Sequence, residues 1–213
     1  MQTHFDVTPE ERATALSFFK RQLFRQTHLV TQSEIDLTGQ IAIVTGSNTG
    51  LGLECSRQLL ELGLGKLIIA VRSITKGETA RQQLLSERSI ENQTIEVWEL
   101  DLSDYDSITQ FIERAKTLPR LEIVVHSAGI SNKIFRLNEK TLFDEVIQTN
   151  YLSMVLLTVL LLPVLQDKNS PGQPGRLVLV SSDTAAWAEF KEKSSRPLLP
   201  AFSNSETFDG TDR

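Results

Sequence analysis

Between Gly39 and Ser182, short apolar runs alternate with longer stretches in which apolar residues recur at helical spacing. The runs are IAIVT (41–45), KLIIAVR (66–72), TIEVWEL (94–100), LEIVVH (121–126) and RLVLVS (176–181). Their shortness and β-branched content predict strands. The stretches between them, near 50–63, 75–88, 104–117 and 140–165, predict helices. Strands that alternate with helices make a parallel sheet with crossover helices. The near-continuous apolar character of IAIVT and LVLV predicts burial on both faces, as a doubly wound sheet requires.

The ends of the chain depart from this pattern. Thr8, Pro9 and Glu11 form a helix-start signature: a capping hydroxyl, a proline at the first helical position, and an acid placed to bond back. A helix over 9–26 follows, with Ala15, Leu16, Phe19, Leu23 and Phe24 at helical spacing, which predicts an arm packed on the main domain. Residues 27–38 read as a polar linker. After Ser182 the periodicity stops, and residues 183–213 read as an irregular tail. The expected organisation is therefore a helical arm and linker at 1–38, a sheet domain at 39–182 and the tail.

Composition narrows the function. With 22 Lys+Arg against 27 Asp+Glu, a net charge of -5 and no basic block, the chain lacks the footprint of a nucleic-acid binder. One cysteine, Cys55, excludes an internal disulfide framework and fits a reducing cytoplasm. His4, His28 and His126 are scattered, so no metal-ligand spacing emerges. The apolar run at 154–165 contains Pro163 and is shorter than the roughly 18–20 residues that span a bilayer, so a buried helix is expected and no membrane span.

The segment IVTGSNTGLGLE (43–54) runs from the first strand through glycines into the first helix. Gly46 permits a tight turn off the strand, and Gly50 and Gly52 let backbone and helix approach a pyrophosphate held on the free N–H groups of the helix start. The strand–turn–helix context gives this otherwise weak motif its meaning.

The spacing TGxxxGxG resembles that of the short-chain dehydrogenase/reductase family, and the resemblance extends over 39–182. Within it, FFKRQLF in the arm and FKEKSSRPLLPAF after the serine are similar to fungal, retinol-dehydrogenase-like members. The resemblance implies a Rossmann-type fold and a dinucleotide on Gly46, Asn48, Gly50, Leu51 and Gly52, with Ser127 and Gly129 of HSAG standing where the family has NNAG. His126 there reads as a hydrogen-bonded strand-end histidine rather than a base. Asp101 of DLSD matches an aspartate beside the adenine, although Asp101 or Ser103 also suits a helix cap. At the end of the second strand stands Arg72, where an NAD site has an acid; a guanidinium pairs with a 2′-phosphate, so NADP(H) is expected, with Lys76 as a second cation.

For catalysis the resemblance implies hydride transfer between nicotinamide and a small carbonyl or alcohol, in fungal secondary metabolism, with Ser182 orienting the substrate oxygen. Asn150 matches an asparagine that holds a relay water; interior helix packing is the alternative. The family's acid/base pair is a tyrosine followed four residues later by a lysine, and both tyrosines here, Tyr105 and Tyr151, precede Ser182. The expectation is a reductase cut short before that pair, with one flank of its sheet incomplete, or else an inactive nucleotide-binding protein or a nonfunctional remnant. The family's usual homo-oligomer would lack part of its helix pair.

Overall fold

The computed structural model describes residues 8–87 and 93–210; His4, Arg88 at the end of the second predicted helix, and residues 211–213 of the tail lie outside them. All five expected strands form: β1 (Ile41–Thr45), β2 (Lys66–Val71), β3 (Thr94–Glu99), β4 (Ile123–His126) and β5 (Arg176–Leu179). They pair in parallel in the order β3-β2-β1-β4-β5. The chain winds outward from β1 to β3 and then crosses back to β4, so the crevice where the order reverses opens between the C-terminal ends of β1 and β4.

Period-two alternation along the strands splits the core in two. Ile41, Ile43, Ile68 and Ala70 face α5 (Tyr105–Lys116) and α7 (Met154–Asp167), where Phe111, Leu157 and Leu161 cover them. Ala42, Val44, Leu67 and Ile69 face α3 (Gly50–Glu61) and α4 (Ile74–Ser86), where Leu60 and Leu84 cover them. Helices on both faces make the fold the Rossmann-like α/β expected.

The helix expected over 140–165 begins instead at α6 (Glu145–Ile147), capped by the Asp144 carboxylate, which accepts from the Val146 and Ile147 N–H groups. It widens into a π turn at Gln148–Ser153 and continues as α7, 23 residues from Glu145 to Asp167 in all. The helix runs through Pro163, whose missing N–H the packed neighbouring turns tolerate. By length and composition it could cross a membrane, but Leu157, Leu161, Val164 and Leu165 are buried in the core.

Two expectations fail on burial. The arm forms α1 (Pro9–Arg12) and α2 (Ala15–Phe24) rather than one helix, because Thr14 restarts it by accepting from the Ser17 N–H. No residue of α2 is buried, and Leu16, Phe19, Leu23 and Phe24 are exposed rather than packed on the sheet. β1 is buried at every position, but Val178 and Leu179 of β5 stay about half exposed. β5 is the outermost strand with one neighbour, so its apolar sequence does not bring burial.

Candidate active site

Gly46 leaves β1 with φ +65, a backbone conformation that a side chain disfavours. A Cβ there would lie 2.7 Å from the Ala128 Cα, so only glycine lets the turns after β1 and β4 come this close. Gly52 is equally constrained, since its Cβ would meet the Gly46 carbonyl oxygen at 2.6 Å. Gly50 opens α3 with φ +57 and open space around it. Thr49 precedes it at the N-cap position but makes no side-chain capping bond to the first N–H groups of α3. The positive end of an α-helix so left uncapped suits an anion.

Thr45, which sequence reasoning passed over, fastens the other wall. Its buried hydroxyl accepts from the Ser127 N–H at 3.1 Å and the Ala128 N–H at 3.0 Å, tying the end of β1 to the loop after β4. The signal was present: a threonine before the first glycine of the turn, at a strand's buried end. Asn150 braces the same loop from behind. Its Oδ1 accepts from the Ile130 N–H and its Nδ2 donates to the Ile130 carbonyl, both at 2.8 Å. The π turn around Asn150 is the kind of local widening often found at functional sites.

These walls enclose a cleft of about 410 Å³. Of the sequence-predicted cofactor residues, Gly46, Asn48, Leu51, Gly52, Arg72, Asp101, Ser127 and Gly129 line it, and Gly50 does not. Both Arg72 and the second cation, Lys76, line it, exposed and without an ion-pair partner among the described residues. Ser73 stands between them and caps α4. Asp101 lines the cleft while its Oδ1 accepts from the Ser103 N–H (2.8 Å) and hydroxyl (2.7 Å). The cap of α5 is Asp104, neither Asp101 nor Ser103, so Asp101 shapes the turn rather than the helix start. Ile130, Thr149 and Val180 also line the cleft.

Two predicted catalytic residues lie outside the cleft lining. Asn150 acts on it through Ile130. Ser182 stands two residues beyond Val180, exposed, with its Oγ accepting from the Thr184 N–H at 3.2 Å and bonded to the Thr184 hydroxyl at 2.6 Å. Tyr105 starts α5 and Tyr151 lies in the π turn, both exposed. Among the described residues no group of His, Cys, Asp and Glu is arranged to hold a metal.

His126 differs from the expectation of a hydrogen-bonded strand-end residue. It is 2% exposed, and its Nε2 has no hydrogen-bond partner among the described residues. Burial pushes its pKa down to about 4, so it is neutral at physiological pH and unsuited to hold a proton there.

The short chain dehydrogenase family matches residues 40–192. Short-chain dehydrogenase fogG of Aspergillus ruber is 48% identical over 207 residues, covering 97% of this chain and 59% of that protein. Short chain dehydrogenase/reductase mfmJ of Annulohypoxylon moriforme is 44% identical, covering 92% of this chain and 56% of its own length. The chain thus spans less than two thirds of these relatives. Among solved structures, menthone neomenthol reductase from Mentha piperita superposes with a TM-score of 0.60 at 25% identity, covering 75% of this chain and 68% of its own. A 3-oxoacyl (acyl-carrier-protein) reductase from Agrobacterium tumefaciens, solved with NADP bound, shares the fold at a TM-score of 0.59 and 22% identity, over 85% of this chain and 64% of its own. A doubly wound sheet with a glycine turn at its switch point, and a family match across that whole unit, make this chain a member of the short-chain dehydrogenase family.

Proposed function

We propose that the cleft binds NADP(H) and that the chain is the cofactor-binding part of an oxidoreductase acting on a small carbonyl or alcohol. The observation that carries this reading is the polarity of the cleft. The N-terminal N–H groups of α3, which the Thr49 side chain leaves uncapped, and the close Gly46–Ala128 approach suit a pyrophosphate, while Arg72 and Lys76, unpaired among the described residues, suit a further phosphate on the ribose. An acidic residue at position 72 would favour a free 2′-hydroxyl; the arginine favours a phosphorylated one. Bound there, the cofactor supplies or accepts the hydride.

The chain's own residues do the rest. Asp101 and its Ser103 bonds hold the adenine end, and Thr45 and Asn150 hold the Ser127–Ile130 wall at the other. Ser182 is the residue we assign to the substrate oxygen, its hydroxyl donating to the oxygen on which charge develops. The fungal relatives support a setting in fungal secondary metabolism, and the single half-buried cysteine fits the cytoplasm.

A second reading rests on one observation: no tyrosine follows Ser182 in this sequence. On that reading the 213-residue chain binds NADPH without turning over, for want of an acid/base. Calorimetric titration with NADPH and NADH, followed by an assay of NADPH oxidation with a panel of ketones, tests both. Binding with turnover supports the enzyme, binding without turnover the second reading, and absence of NADPH binding overturns both.

A further inference from the structure

The chain beyond Ser182 folds back onto the N-terminal arm. Asp183–Trp187 forms a 3-10 turn whose N-cap is Ser182. Three contacts join this turn to the arm: Arg21 Nη2 lies 2.9 Å from Asp183 Oδ2, the Phe18 and Trp187 rings meet edge to face at 5.0 Å, and the Trp187 indole N–H donates to the Ala13 carbonyl. Arg21 is itself aimed, since its Nη1 donates to the Ser17 hydroxyl at 3.0 Å.

The way α2 docks is informative. A helix held by apolar burial turns its leucines inward. Here Ser17, Phe18 and Arg21 are the partly covered residues, while Leu16, Phe19, Leu23 and Phe24 face solvent. Directed contacts, not buried area, therefore set where the arm lies. An ion pair this exposed contributes little by itself. Joined to a ring contact and an indole hydrogen bond on the same turn, it fixes an orientation.

We propose that the N-terminal arm is a positioning element for the serine: Arg21 and Phe18 hold the Asp183–Trp187 turn and thereby hold the Ser182 hydroxyl on Thr184. This rests on the reading of Ser182 as the residue that meets the substrate oxygen. Neither Arg21 nor Phe18 lines the nucleotide cleft, so cofactor affinity is expected to be independent of them.

The test uses the full 213-residue chain with Arg21→Met and Phe18→Ala, followed by amide resonances and hydrogen exchange. The Thr184 N–H donates to Ser182 Oγ, so its proton shift reports the serine hydroxyl directly, with Ser182→Ala as the reference for a lost bond. The expected result is a Thr184 shift moved towards that of Ser182→Ala and exchange across 184–187 faster by about tenfold, with the sheet unaffected. NADPH affinity should stay within about twofold. The reciprocal exchange Arg21→Glu with Asp183→Arg should restore the shift. An unchanged Thr184 shift, faster exchange spread over the whole sheet, or failure of the reciprocal pair would overturn the proposal. If the wild-type chain bound no NADPH, the cofactor reading alone would fall; if it bound NADPH while Thr184 ignored Arg21, the positioning proposal alone would fall.

Discussion

β1 and β5 are both parallel, apolar and rich in valine, leucine or isoleucine, yet they meet opposite fates. β1 lies between β2 and β4 with helices over both faces and is buried throughout. β5 has a single strand neighbour and is mostly exposed. Burial thus belongs to a strand's place in the sheet and only partly to its sequence. The same contrast divides the site. The turns at Gly46, Gly52 and Thr45 are closely packed, whereas the turn after Ser182 is held by exposed directed contacts.

The contrast is most sharply tested in the core. Ile68→Ala, at a fully buried position, is expected to cost about 2–5 kcal/mol by denaturant unfolding. The matching truncation Leu179→Ala, on a residue 47% exposed, should cost under about 1 kcal/mol. Equal losses would mean that β5 is covered.

A second expectation concerns pH. His126 has a folded pKa of about 4 against an ordinary 6.5, so between these values the unfolded chain binds a proton that the folded chain does not. Stability is whole above pH 6.5 and falls as pH drops towards 4, by roughly 3 kcal/mol in total from this residue. His126→Leu should flatten that slope; an unchanged slope would assign it to other groups.

Smaller effects belong to the cleft mouth and the arm. Arg72→Ala should weaken NADPH binding by about 10- to 100-fold and leave NADH and thermal stability nearly unchanged. Equal loss for both nucleotides would remove the 2′-phosphate assignment. Leu23→Ser, on the solvent side of α2, should shift stability by under about 0.5 kcal/mol, and a larger loss would mean that this face is packed.

Much of this was legible in the sequence because periodicity reports local structure and glycine spacing reports backbone geometry. All five strands and the β1–α3 turn fall where the apolar runs and TGxxxGxG put them. What stayed hidden depends on partners distant in sequence. Nothing local in QTNYLS says that Asn150 will clamp the backbone of Ile130, and nothing in RLVLVS says that β5 will stand at an edge. The arm misled for the same reason, since Arg21 finds Asp183 at a separation of 162 residues and turns the apolar face outward.

The central claim is that a dinucleotide occupies the crevice between β1 and β4. Hydrogen exchange of the 213-residue chain with and without NADPH tests it most directly. Protection of the amides of 46–52 and 127–130 is expected, with β5 and the 183–187 turn little changed. Protection absent from both loops, or confined to other parts of the chain, would contradict it.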